Sequence, residues 1–214
     1  MRWYPVDPHL LPRAAPRRLL DPAVRAAARA GLSPNAVTAL GFAGNGIAAL
    51  LAARGWLPAA GGLMLVSSLL DLVDGALART TDRVSRFGAV FDAVLDRYAE
   101  AVVLLGIVVY QAERQAHLTV ALAFVALTGS VLVSDVRARA ETLGFTLREG
   151  LFTRAERVAL TALALIATAW WGGALTAALS LLAVLANVTA LQRLVVVCGK
   201  LAAHHTAGER EGQP

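Results

Sequence analysis

Residues 57–110 decide the fold and read LPAAGGLMLVSSLLDLVDGALARTTDRVSRFGAVFDAVLDRYAEAVVLLGIVVY. Two apolar segments flank a short connection rich in arginine, and each is long enough to cross a bilayer, which takes about 20 mainly apolar residues in a helix. Both segments nevertheless contain carboxylates near the connection: Asp71 and Asp74 in the first, Asp92 and Asp96 in the second. The stretch predicts two membrane helices that carry acidic residues.

The composition of the whole chain is that of an integral membrane protein. Of its 214 residues 57% are hydrophobic and 16% are charged, and the mean hydropathy is +0.60. The net charge of +5 would also suit a nucleic-acid-binding protein, but the basic residues form no continuous stripe interleaved with aromatic side chains. We therefore expect a membrane domain and no nucleic-acid partner.

The predicted fold class is an all-α integral membrane protein with six transmembrane helices, preceded by a juxtamembrane amphipathic helix. The six spans are 36–53, 57–78, 88–110, 118–136, 158–171 and 174–199. We expect three regions, which are an N-terminal segment (1–32), a membrane domain (33–200) and a disordered cytoplasmic tail (201–214).

The segment before the first span has a helical stripe of apolar residues. In 16–32, Leu19, Leu20 and Val24 share this stripe with alanines, while the arginines lie largely elsewhere. This pattern is typical of a helix in the headgroup region, and a soluble leader helix is the alternative. Ser33 and Pro34 then supply a helix N-cap and a first-turn proline, which predict the start of the first membrane helix.

The arginines also predict the topology. They cluster before the first span, between the second and third, between the fourth and fifth, and at the C-terminus, whereas the opposite loops offer Arg54 and Arg114. Because positive residues are retained on the cytoplasmic side, we expect a multi-pass protein of the cytoplasmic (inner) membrane. Both termini and the aspartates would then face the cytoplasm.

The spacing of the four aspartates predicts a metal site. Asp71 and Asp74 lie on one face of their helix, and Asp92 and Asp96 repeat at four residues on the next, so two acidic faces would oppose each other. Clustered carboxylates in a low dielectric require cations, and oxygen ligands favour Mg²⁺ or Mn²⁺ over zinc. Salt bridges to nearby arginines are the alternative interpretation. Those arginines are Arg79, Arg83, Arg86 and Arg97.

The aspartates belong to a longer pattern of eight spaced residues within 26 positions. It reads Asp71-Leu-Val-Asp74-Gly75-Ala-Leu-Ala78-Arg79, eight residues, Gly88, three residues, Asp92, three residues, Asp96. At every defining position this resembles the signature of the CDP-alcohol phosphotransferase family. The family is similar in having six membrane helices, cytoplasmic termini, a leading amphipathic helix and often a homodimeric assembly.

The resemblance implies that the protein cleaves the pyrophosphate of a CDP-linked alcohol, releases CMP and joins the phosphoryl group to a second alcohol. Two Mg²⁺ ions would be held by the four aspartates, and Asp96 would also be the general base for the acceptor hydroxyl. The implied nucleotide-binding residues are Pro34, Thr38, Asp71, Gly75, Ala78 and Arg79.

Residues outside the signature bear on the two substrates. The stretch 134–141, the run Arg154-Ala-Glu-Arg157 and Gln192-Arg193 resemble the phosphatidylinositol phosphate synthase branch, which uses CDP-diacylglycerol and inositol 1-phosphate. The candidate ligands of the acceptor phosphate are Arg137, Arg154 and Arg193, since a doubly charged group favours arginine. The alternative makes these arginines topology signals only.

One residue departs from that branch. Asp135 stands where the branch usually has an aromatic residue, and its carboxylate would alter or repel an anionic acceptor unless it pairs with a neighbouring arginine. Other acceptor alcohols, notably glycerol 3-phosphate, therefore stay open. For Glu100, four residues beyond Asp96, we predict a structural ion pair such as one with Arg97. Functions of other classes also stay open, namely a metal-ion transporter or channel and an inactive scaffold.

Overall fold

The computed structural model describes residues 17–147 and 152–211, and their side chains over 21–147 and 152–202. Within these ranges the chain is all helical, as predicted, and contains no strand. Its seven helices are α1 (Arg17–Arg29), α2 (Pro34–Ala53), α3 (Leu57–Thr80), α4 (Arg86–Glu113), α5 (His117–Thr142), α6 (Arg154–Ala167) and α7 (Ala174–Glu211).

Local sequence signals explain where the site-forming helices begin. The Ser33 side chain accepts a hydrogen bond from the Ala36 amide at 3.2 Å and Pro34 occupies the first turn of α2, which confirms the predicted start. Ser85 caps α4 in the same way, through the Gly88 amide at 3.0 Å. These caps satisfy backbone donors that a helix leaves unpaired.

Four of the helices in the described ranges are long and apolar enough to cross a membrane. They are α2, α3, α5 and the 174–202 part of α7. Of the other two predicted spans, α4 has the length but carries four charged residues within 92–100, and α6 has only 14 residues, about 21 Å at 1.5 Å per residue. The six-span arrangement therefore stays a prediction.

Both ends of the chain differ in detail from the predicted regions. α1 covers most of the predicted amphipathic stretch, with Val24 buried against α3 and Arg25 exposed, whereas the side chains of Leu19 and Leu20 lie outside the described set. α7 continues to Glu211, beyond residue 200. The predicted segments at 1–16 and 212–214 lie outside the described residues, and the three-region division stays a prediction.

Helix α2 is the central element of the bundle. It packs extensively against both α3 and α4, while α6 packs against α3, and α5 against α7. Small side chains make the close approach feasible, since Ala48 and Ala52 of α2 and Ala60 of α3 are completely buried. Many leucines and valines point outward, including Leu50, which suits a surface solvated by lipid tails.

Gly61 marks the contact between α3 and α6, and we expect Gly61→Ala to destabilise the protein. A Cβ atom at Gly61 would lie 2.5 Å from the Ala162 carbonyl oxygen, so a backbone would have to move, at a cost of about 1–3 kcal/mol. The measurement is the thermal unfolding midpoint in detergent. Gly62→Ala is the matched control, because a Cβ atom there meets nothing within 4 Å. Equal midpoints for the two variants would contradict the close packing.

Candidate active site

Asp74 and Thr38 form the first part of the site. The Thr38 hydroxyl lies 2.6 Å from Asp74 Oδ2 and donates to it, and both residues are buried. The first turns of α2 thus lie beside the C-terminal part of α3. The predicted nucleotide residues Pro34 and Thr38 therefore adjoin the predicted metal ligands.

Asp71 and Asp96 come together through an arginine from a third helix. Arg154 Nη2 lies 2.8 Å from Asp71 Oδ2 and 2.7 Å from Asp96 Oδ1. Carboxylates from α3 and α4 therefore share one guanidinium at the start of α6. α3 and α4 each pack chiefly against α2, and their acidic faces converge at this guanidinium.

Asp92 completes the set of four aspartates. Its Oδ1 atom is buried without a hydrogen-bond partner among the described residues, a costly state for a carboxylate oxygen. Among the described residues, no three Asp, Glu, His or Cys side chains are already arranged to hold a metal ion. The possible metal ligands are all carboxylate oxygens. One of them, on Asp92, has no partner, and two, on Asp71 and Asp96, contact the Arg154 guanidinium. Such hard oxygen ligands fit a divalent metal.

The other signature residues lie along α3 and at the start of α4. Gly75 and Ala78 are half-buried and Arg79 is exposed at the C-terminal end of α3, so their helix face remains accessible beside Asp74. A Cβ atom on Gly88 would approach Ser85 Oγ and Asn35 Oδ1 to 3.0 and 3.1 Å. Gly88 therefore permits a close approach between α4 and the first turn of α2.

Sequence reasoning missed Gly41, which supports the site from α2. A Cβ atom at Gly41 would lie 2.9 Å from Asp71 Oδ1, so the absence of a side chain leaves room for that carboxylate. Gly41 follows Thr38 by three residues and shares its helix face. That spacing is the signal that would have indicated it.

The predicted acceptor arginines separate into two places. Arg193 is buried and donates to the Val133 carbonyl of α5 at 2.8 Å, and Arg137 follows Val133 by one helical turn on α5. Arg154 instead contacts the aspartates.

Asp135 has a nearby partner. Its Oδ2 atom lies 2.7 Å from Arg139 Nε, one helical turn further along α5, and both side chains are exposed. Arg137 pairs in the same manner with Glu141 at 2.9 Å. The unexpected carboxylate therefore has an arginine partner on its own helix.

Glu100 forms a structural ion pair, as predicted, but with a different residue. Arg157 Nε and Nη2 donate to its two carboxylate oxygens at 2.9 and 3.1 Å. The Arg97 guanidinium, the suggested partner, donates to the Ala93 carbonyl on its own helix. The prediction of Arg97 is therefore corrected to Arg157, which reaches Glu100 from α6.

Comparisons with known proteins match most of the chain. A family model described as CDP-alcohol phosphatidyltransferase matches residues 32–196. A phosphatidylinositol phosphate synthase from Cutibacterium acnes is 32% identical over 196 residues, covering 86% of this chain and 95% of that protein.

Solved structures of the Mycobacterium tuberculosis phosphatidylinositol phosphate synthase are similar to this chain. The structure with CDP-DAG bound has a TM-score of 0.79 at 32% identity, and covers 84% of this chain and 94% of that one. The complex with manganese and citrate has a TM-score of 0.76 at 33% identity, with coverage of 83% and 88%.

Proposed function

The chain belongs to the CDP-alcohol phosphatidyltransferase family, and we propose that it transfers the phosphatidyl group from CDP-diacylglycerol to inositol 1-phosphate. The products are phosphatidylinositol phosphate and CMP. The observation that carries the proposal is the meeting of Asp71 and Asp96 at Arg154 beside the Thr38–Asp74 pair, because it assembles the signature residues from separate helices.

The proposed reaction needs a proton acceptor next to the phosphorus atom that is attacked. The acceptor hydroxyl loses its proton to the Asp96 carboxylate while its oxygen bonds to the phosphorus that carries diacylglycerol. The pyrophosphate bond breaks, and CMP leaves with the bridging oxygen. The residues proposed to bind and orient the nucleotide are Pro34, Thr38, Asp71, Gly75, Ala78 and Arg79.

Divalent metal is part of this proposal. Asp71, Asp74, Asp92 and Asp96 would hold two Mg²⁺ ions, or Mn²⁺, which supply neutralisation of the pyrophosphate and the leaving CMP when bound. The orphaned oxygen of Asp92 and the all-oxygen donor set support it, as does the manganese complex of the mycobacterial protein.

The proposed acceptor site lies at Arg137 of α5 and Arg193 of α7, with Arg154 of α6 as the third predicted member. Arg137 and Arg193 would bind the phosphate of inositol 1-phosphate, since Arg193 reaches the Val133 carbonyl one turn before Arg137 on α5, and two guanidiniums favour a doubly charged anion. Arg154, predicted for the same role, would reach this phosphate only after leaving the aspartates. The pairing of Asp135 with Arg139 supports an anionic acceptor, because it offsets the nearby negative charge.

The remaining sequence predictions complete the proposal. The enzyme would lie in the cytoplasmic membrane as a homodimer, with both termini and the active site on the cytoplasmic side. Six spans within residues 33–200 would form the catalytic domain. Labelling of single cysteines placed at Ser85 and Gly172 in a Cys198→Ala background, from each side of a sealed vesicle, tests this topology, since the two positions should react from opposite sides.

The function is tested by CMP release from purified protein with CDP-diacylglycerol and Mg²⁺. Inositol 1-phosphate, glycerol 3-phosphate, serine and inositol are supplied separately, and we expect release with inositol 1-phosphate. Release only with glycerol 3-phosphate would establish the alternative acceptor. No release with any of the four would reject the catalytic proposal, and cation flux without a cytidine nucleotide would favour a transporter.

Metal binding itself gives a separate prediction at Arg154. Its guanidinium and a divalent ion would compete for the same oxygens of Asp71 and Asp96. Arg154→Ala should therefore bind Mn²⁺ about tenfold more tightly, a change of about 1.4 kcal/mol in binding free energy. Calorimetric titration of Mn²⁺ measures this. Arg139→Ala, at an exposed pair on α5, is the control, and unchanged affinity in Arg154→Ala would contradict the competition.

A further inference from the structure

A second ion pair lies one helical turn from the shared guanidinium. Glu100 follows Asp96 by four residues on α4, and Arg157 follows Arg154 by three on α6. Glu100 and Arg157 form a two-pronged pair at 2.9 and 3.1 Å, with side chains only 12% and 2% exposed. Two acid–arginine bridges therefore join α4 to α6 in parallel.

These bridges connect helices whose main packing partners are different. α4 packs chiefly against α2 and α5, whereas α6 packs against α3 and α7. Long charged side chains therefore contribute strongly to the depth and rotation of α4 relative to α6. A guanidinium that binds both oxygens of a carboxylate restrains orientation as well as distance.

The two ion pairs differ in their relation to the proposed reaction. Arg154 contacts one oxygen of Asp96, which is the proton acceptor and a metal ligand in the proposed reaction, so a bound metal would compete with this contact. Neither Glu100 nor Arg157 has a part in the proposed chemical step, and their pair is almost completely buried. The Glu100–Arg157 pair would therefore still connect α4 to α6 when a metal displaces Arg154 from Asp96.

We infer that Glu100 and Arg157 are positioning residues for phosphatidyl transfer, whose ion pair holds α4 at the depth and rotation that direct Asp96 toward the acceptor hydroxyl. The inference rests on the proposed function. It also explains why a costly buried pair stands here, since an apolar contact of similar volume would join the helices without fixing their register.

The test separates positioning from simple stability. Glu100→Gln, Arg157→Lys and the double variant are compared with the wild type for kcat, for KM of CDP-diacylglycerol and for thermal midpoint. We expect kcat per folded enzyme to fall about 10- to 100-fold in each single variant, because small displacements of a reacting group have effects of this size. KM for CDP-diacylglycerol should stay within about twofold, because the substitutions leave the nucleotide residues in place.

The double variant and a control complete the design. Because both residues act through one pair, the double variant should be no slower than the slower single variant. Glu113→Gln makes the same change at an exposed position of α4 and should retain wild-type kcat. If Glu100→Gln does not yield folded protein, the kcat and KM of Arg157→Lys test the inference alone, since this variant keeps the positive charge.

Two results would overturn the inference. One is wild-type kcat in folded single variants with only the thermal midpoint lowered, which would make the pair purely structural. The other is multiplication of the single effects in the double variant. Wild-type CMP release is measured in parallel, so its absence would reject the proposed function, whereas an active wild type with unaffected variants would reject the positioning role alone.

Discussion

Asp96→Asn is expected to reduce CMP release by at least about 1,000-fold while leaving the helices folded. The substitution keeps the size of the side chain but removes its negative charge and most of its basicity, and general-base catalysis alone contributes about 10²- to 10⁴-fold. The loss of a metal-binding oxygen would add to this effect. Initial rates of CMP release with saturating substrates measure it.

Asp82→Asn is the matched control for Asp96→Asn. Asp82 is exposed in the connection between α3 and α4, so the same chemical change should leave the rate near the wild-type value. Full activity in Asp96→Asn would rule out its role as the base. An unchanged phenotype in cells, together with no CMP release by the wild type, would instead favour the inactive scaffold.

Arg157→Met is expected to have the largest effect on stability. Arg157 is 2% exposed, and its removal leaves the Glu100 carboxylate buried without its partner. Breaking a buried ion pair from one side costs about 3–5 kcal/mol. A large decrease in the thermal unfolding midpoint of detergent-solubilised protein, or failure to recover folded protein, is the expected outcome.

A double variant distinguishes the ion pair from simple loss of volume. In Glu100→Leu/Arg157→Met both charges are replaced by apolar side chains, so most of the stability should return. If the positioning inference holds, this recovered protein should still have a low kcat. A double variant as unstable as Arg157→Met would show that the buried charge is not the source of the destabilisation.

Periodic and local features of the site could be predicted from the sequence. The Ser33-Pro34 signal placed the start of α2 correctly, because capping depends on neighbouring residues. The spacing of Asp71 and Asp74 placed both on one side of α3, since helix geometry alone determines which residues share a face. The family signature needed no tertiary information for the same reason.

Span counting was less certain for the helices that carry the site. α4 combines the length of a membrane helix with Asp92, Asp96, Arg97 and Glu100, and the described α6 is short. Functional charges lower the hydropathy on which such counting depends, so the active site itself obscures the signal. The disagreement over the number of spans therefore falls on α4 and α6.

By itself, the sequence determined the all-helical membrane character, the start of α2 and the family, because hydropathy, capping and motif spacing act over a few residues. Only the tertiary structure decided that α2 packs between α3 and α4, that Arg154 joins Asp71 to Asp96, and that Glu100 pairs with Arg157 rather than Arg97. The chain has many arginines, and the choice among them depends on helix rotation and depth. Those are set by the close packing of small residues between helices distant in sequence.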